Sequence, residues 1–134
     1  MKKKKRYAYT DPMCCRCREV EKVPNSAYCR ECRSDYRRTK VHKYWGILKR
    51  YKVMKGCANC GYNKHFAALQ FNHIDPMDKH PLGLTQLVKS ASSWKRIKNE
   101  VAKCEILCAN CHAEHSYREG HHLLDKSEDN RNDI

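Results

Sequence analysis

The residues able to do chemistry in this chain are its cysteines and a few histidines, and their spacing is not random. Cys14-x-x-Cys17 and Cys29-x-x-Cys32 make one set, and Cys57-x-x-Cys60 and Cys108-x-x-Cys111 make a second. A CxxC turn lets two thiolates reach one ion about 2.3 Å away, and two such turns complete a tetrahedron. A closed set of four thiolates keeps no position open for water, so each set reads as a structural zinc site. Two cysteines are left over. Cys15-x-Cys17 is a poorer knuckle than Cys14-x-x-Cys17, so Cys15 reads as a spare thiol, and Cys104 reads as a small buried thiol beside a strand.

The second set encloses a long insertion, and the insertion carries the reactive side chains. It runs LQFNHIDPMDKH, then a helical stretch around Trp94, then CEILCANCHAEH. An Asn72-His73 pair ends the first expected strand. His112 follows the last CxxC at once, and His115 stands one helical turn later, so the two share a helix face. Phosphodiester hydrolysis needs a nucleophilic water and a cation on the scissile phosphate. A histidine, which titrates near neutrality, suits the task of deprotonating that water.

This arrangement resembles the HNH (ββα-metal) nuclease family, in which a zinc-stapled ββα unit carries a strand-end histidine and metal ligands on a helix. The resemblance covers residues 56–117. The N-terminal cysteine set with its basic linker looks like the accessory finger of many phage-encoded HNH proteins. The resemblance implies His73 as general base. It also implies one catalytic divalent ion (Mg²⁺, Mn²⁺ or similar) held by His112 with Asn72 and His115. The sequence departs from the family twice. Asn72 stands where Asp or His is usual, and it offers an oxygen without charge. Lys103 stands where the middle Asn of the family name is often found, so the bracing of the base loop falls to no assigned residue; Asn110 is a candidate, and Asp75 reads equally as orienting His73 or as forming the Asp75-Pro76 turn.

The elements that must position these groups are short. Residues 68–72 (ALQFN) predict a strand with Leu69 and Phe71 on one face, and residues 105–107 a second strand. Residues 92–103 predict a helix opened by Ser, with Trp94, Ile97 and Val101 as its buried stripe. A last helix opens at Asn110 and ends near Gly120. Residues 33–55 hold one Gly and no Pro, and Tyr36, Tyr44, Ile47, Leu48 and Tyr51 fall near helical spacing. They predict a basic linker helix broken near Gly46. The expected domains are a basic tail and zinc finger (1–32), the linker (33–55), the nuclease domain (56–122) and a polar tail (123–134). The fold class is a small α+β protein, with Leu, Ile, Val and Phe too sparse for a conventional core, so metal staples must stand in for it.

Charge points to the partner. The chain carries a formal +13, and residues 1–55 hold 18 Lys/Arg against 5 Asp/Glu while residues 56–134 hold 10 against 10. Eight zinc-bound thiolates and two dications would bring the total to about +9, still suited to a polyanion. Double-stranded DNA is the expected partner, through Arg37, Arg38, Lys40, Lys43, Lys49 and Arg50 and the lysine run at residues 1–6. Removing residues 1–55 is then expected to cost DNA affinity and spare the site. No apolar leader opens the chain and no stretch reaches membrane-spanning length, so a reducing cytoplasm (a host's, if phage-encoded) and no membrane partner are expected. Two rival functions stay open: a non-enzymatic zinc-containing nucleic-acid-binding protein, and a partner-dependent component of a phage DNA-processing or packaging assembly.

Overall fold

The structure, a computed structural model, describes residues 11–120. The lysine run at 1–6 and the tail at 123–134 lie outside the described residues. The chain divides into two compact units, Met1–His42 and Lys43–Ile134. The boundary falls inside a helix, α1 (Arg30–Lys55), rather than at its end.

Helix α1 corrects the expectation from sequence. It starts three residues earlier than expected and runs unbroken through Gly46, whose missing Cβ faces open space. One helical glycine costs only about 1 kcal/mol relative to alanine, which the packing of its neighbours offsets. Tyr44 and Leu48 are buried, and Tyr51 stacks on Phe71 with ring centroids 6.3 Å apart. The stretch after His42 is therefore a wall of the second unit and not a free linker. Lys52 and Lys55 in the last turn suit the helix dipole. Gly56 ends the helix at φ +68 with its N–H on the Lys52 carbonyl, a left-handed C-terminal position that favours glycine.

The first unit has almost no apolar core. Among its described residues Cys14, Cys29 and Ser26 are the buried ones. A single bridge pairs Met13 with Glu21. Tyr28 stacks on Tyr36, and Arg16 pairs with Asp35 at 2.7 Å.

The second unit holds a two-stranded antiparallel sheet, β1 (Leu69–His73) and β2 (Cys104–Cys108). The register pairs Leu69 with Cys108, Asn72 with Glu105 and His73 with Cys104. Between the strands lie α2 (Gly83–Lys89) and α3 (Trp94–Ala102), and α4 (Ala109–Arg118) follows β2 directly. Ser93 caps α3 by accepting the Arg96 N–H, in keeping with the Ser expected to open that helix. Helix α2 has no counterpart among the expected elements. It is only seven residues long and opens at a glycine without a side-chain cap, so periodicity has little to work on. It buries Leu84, Leu87 and Val88 and packs on α3. The core around the sheet joins Leu69, Ile106 and Leu107 to Cys57, Cys108 and Cys111, with Tyr51, Val53, Tyr62 and Phe71 partly covered against it. The thiols are thus core residues as well as candidate ligands.

Candidate active site and metal centres

Both cysteine sets converge. The Sγ atoms of Cys14, Cys17, Cys29 and Cys32 lie within 4.8 Å of one another, as do those of Cys57, Cys60, Cys108 and Cys111. Ligands about 2.3 Å from a tetrahedral zinc stand about 3.8 Å apart. The separations of 4.0 Å for Cys17–Cys29 and 3.7 Å for Cys60–Cys108 match that edge and exceed a disulfide bond of about 2.05 Å. Either tetrad could hold a zinc ion. Cys14 belongs to the first tetrad, while Cys15 is exposed and outside it.

The electrostatics of each tetrad suits a dication. Burial pushes the Cys14 thiol up, but the backbone amides of Cys17, Cys29 and Arg16 outweigh it and bring the thiol down to about 6. Burial and the neighbouring Cys29, Cys14 and Cys17 push Cys32 up to about 12. The second tetrad repeats this. Burial of Cys57 is overcome by the amides of Cys60, Cys108 and Asn59, giving about 6. The Asn59 amide pulls Cys111 down, but Cys108, burial, Cys60 and Cys57 together push it up to about 12. One thiolate in each set is favoured and opposes ionisation of its neighbours, and an ion of charge +2 would relieve that opposition.

His73 is the centre of a different site. Its Nε2 lies 2.6 Å from Glu100 Oε1, which also accepts the His80 backbone N–H at 2.9 Å. Glu100 is only 2% exposed. Burial raises its carboxyl, but the His80 amide, the hydrogen bond and charge of His73, and the Lys103 ammonium 3.6 Å from Oε2 outweigh that and hold it below the usual range. His73 lines a cavity of about 460 Å³ with Trp45, Lys52, Phe71 and Lys79. The Lys52 ammonium stands 5.1 Å over the Phe71 ring, and burial lowers its pKa.

The loop after β1 is tied down by Lys103. Ile74 N–H donates to the Lys103 carbonyl at 3.1 Å, and Lys103 Nζ reaches the Asp78 carbonyl at 2.9 Å and the Asp78 carboxylate at 3.1 Å. Asp78 raises the Lys103 pKa against its burial. Lys103, standing in the place of the expected Asn, ties down the loop after β1. Asn110 is exposed. Asp75 does not orient His73: its carboxylate accepts the Met77 N–H at 2.9 Å and caps the turn Pro76–Asp78.

The donors expected for a catalytic ion do not converge on this cavity. Strand alternation turns Asn72 and His73 to opposite faces of β1. Asn72 is buried and its amide donates to Glu105 at 3.1 Å. Glu105 lines a smaller cleft of about 180 Å³ with His115 and Arg118. His115 Nδ1 is buried without a hydrogen-bond partner, and His112 is half-buried on the same helix. Among the described residues, the groups of three or more converging His, Cys, Asp or Glu donors are the two cysteine tetrads.

Of the expected DNA-binding residues, Arg37, Lys43 and Arg50 are exposed on α1. Lys49 is exposed with its ammonium 4.7 Å over Phe66. Arg38 pairs with Asp35 at 3.2 Å, and Lys40 is half-buried. No described helix is long and apolar enough to cross a membrane.

Sequence reasoning missed Glu100, although a signal was present. In α3 Ile97 is fully buried and Trp94 and Val101 half-buried, so the fourth residue of that stripe is an acid. A carboxylate on a buried face demands a partner. Comparison of the chain with family models, with curated proteins and with solved structures finds no match.

Proposed function

We propose that the chain is a DNA endonuclease of the HNH (ββα-metal) type that hydrolyses phosphodiester bonds with His73 as general base. The observation that carries this reading is the placement of His73: fixed through one ring nitrogen by a buried carboxylate, on the wall of a cavity shared with Lys52 and Lys79. The succession of β1, β2 and α4 stapled by a cysteine tetrad supports the fold part of it.

The chemistry follows from the groups in place. A water takes position against the phosphorus, and His73 accepts its proton as the new P–O bond forms. Lys79 and Lys52 line the same cavity and supply positive charge to phosphate oxygens as these gain negative charge. The bond to the leaving oxygen breaks, and that oxygen takes a proton from solvent. The ion that the family uses would draw on Asn72, His112 and His115, and these do not gather at His73. That mismatch favours a second reading, a non-enzymatic zinc-containing nucleic-acid-binding protein.

Supercoiled plasmid separates the two. The full chain, incubated with plasmid and Mg²⁺, Mn²⁺ or EDTA, is expected to yield nicked or linear DNA. His73→Ala is expected to slow this by about 10²–10⁴-fold while zinc content and DNA binding stay intact. Wild-type rates in His73→Ala, or binding without cleavage in every arm, would leave the binding protein as the better reading.

A further inference from the structure

A histidine used as a base must present a bare nitrogen, and which nitrogen is bare depends on what the other one meets. The Glu100 carboxylate is an acceptor only, so the nitrogen facing it must carry the hydrogen. That nitrogen is Nε2. We infer that Glu100 is the positioning residue of the His73 centre: it fixes the Nε2–H tautomer, leaving Nδ1 as the basic atom, and holds the loop after β1 in step with the ring. This rests on the reading of His73 as general base.

Three features support it. Glu100 is 27 residues from His73 in sequence yet meets it at 2.6 Å. The same Oε1 accepts the His80 N–H, so one carboxylate anchors both the ring and the far end of the loop. Lys103, whose ammonium stands 3.6 Å from the other Glu100 oxygen, anchors the loop at Ile74 and Asp78. A buried acid on the face of α3 that carries Ile97 is costly unless partnered. An apolar side chain would satisfy packing there, but it would leave the ring free to turn and either nitrogen free to carry the proton.

The test is ¹⁵N NMR of the His73 ring in the zinc-loaded full chain, beside plasmid cleavage, zinc content and DNA binding, for wild type, Glu100→Gln and Glu100→Asp. The wild-type ring is expected to carry its hydrogen on Nε2. Glu100→Gln offers an amide N–H to that nitrogen and is expected to shift the ring toward Nδ1–H. Its kcat should fall about 10²–10⁴-fold, with KM, zinc content and DNA binding unchanged. Glu100→Asp, which keeps the charge, should recover part of the wild-type tautomer and rate. A wild-type ring protonated on Nδ1 overturns the assignment, and so does a Glu100→Gln ring with unchanged tautomer, whatever its rate. If Glu100→Gln fails to fold, the wild-type ring alone decides. A changed tautomer with unchanged cleavage upholds Glu100 as the positioning residue and removes His73 as the base.

Discussion

The two cysteine tetrads have the same ligands and the same local grammar, yet they do different work. In each, the second CxxC leads into a helix: Cys29 precedes α1, and Cys108 caps α4 by accepting the Cys111 N–H. The first tetrad draws together thiols 12 residues apart and encloses little beyond a turn. The second draws together thiols 48 residues apart and encloses the sheet, α2, α3 and His73 itself. A fourfold longer closure costs about 1.2 kcal/mol more chain entropy, so the second tetrad depends more on the sheet register that delivers Cys108 opposite Leu69. The same donor set would make a knuckle in one unit and close a far longer loop in the other.

Removing one ligand from each tetrad tests that contrast most severely. Cys108→Ser takes out a candidate ligand and an apolar core contact at the end of β2, while its hydroxyl can still cap α4. It is expected to leave one zinc per chain and to abolish cooperative unfolding of the second unit and all cleavage. Cys29→Ser should also leave one zinc but preserve the His73 ring signals. Elemental analysis with NMR of the His73 ring checks both. Equal damage from the two substitutions would erase the distinction, and one zinc or none in the folded wild-type protein would remove its basis.

A smaller effect is expected from deleting the first unit whole. Residues 1–42 hold 13 Lys/Arg against 5 Asp/Glu, and residues 43–134 hold 15 against 10. A chain of residues 43–134 is expected to keep one zinc and to bind DNA more weakly, its salt slope falling by about 0.9 for each phosphate no longer neutralised. Deletion to residue 55 sharpens the point. By sequence that cut spares the site, but it removes Tyr44, Leu48 and Tyr51 from the second unit, and that chain is expected to unfold. Binding titrations against salt, with circular dichroism, distinguish the two. Undiminished affinity in 43–134 would take the DNA anchor away from the first unit.

The smallest expected difference is in acid. Ser26 is the buried polar residue described in the first unit, whereas the second buries Glu100 as a carboxylate. Its folded-state pKa lies below the ordinary 4.5, so its contribution is full above about pH 4.5 and fades as pH falls through the lower folded value. The stability gap between wild type and Glu100→Gln should therefore shrink on acidification below that range. A gap that widens instead would contradict an ionised, stabilising Glu100.

Features with local signals are legible in the amino-acid order. Ligand type and CxxC spacing specify both tetrads, because two thiols on one turn reach a common ion whatever the rest of the chain does. Alternating Leu69 and Phe71 mark β1, and Ser93 marks the start of α3. The surroundings of His73 come instead from packing. Glu100 reaches it because the antiparallel register sets His73 opposite Cys104, and α3 ends just before that residue, so the last turn of α3 overhangs the ring. Lys103 braces the loop for the same reason, and α1 becomes a wall of the second unit because Tyr44, Leu48 and Tyr51 find apolar partners there. These are pairings between residues far apart in the chain. Local patterning shows that a buried acid needs a partner, but only the packed fold selects which one.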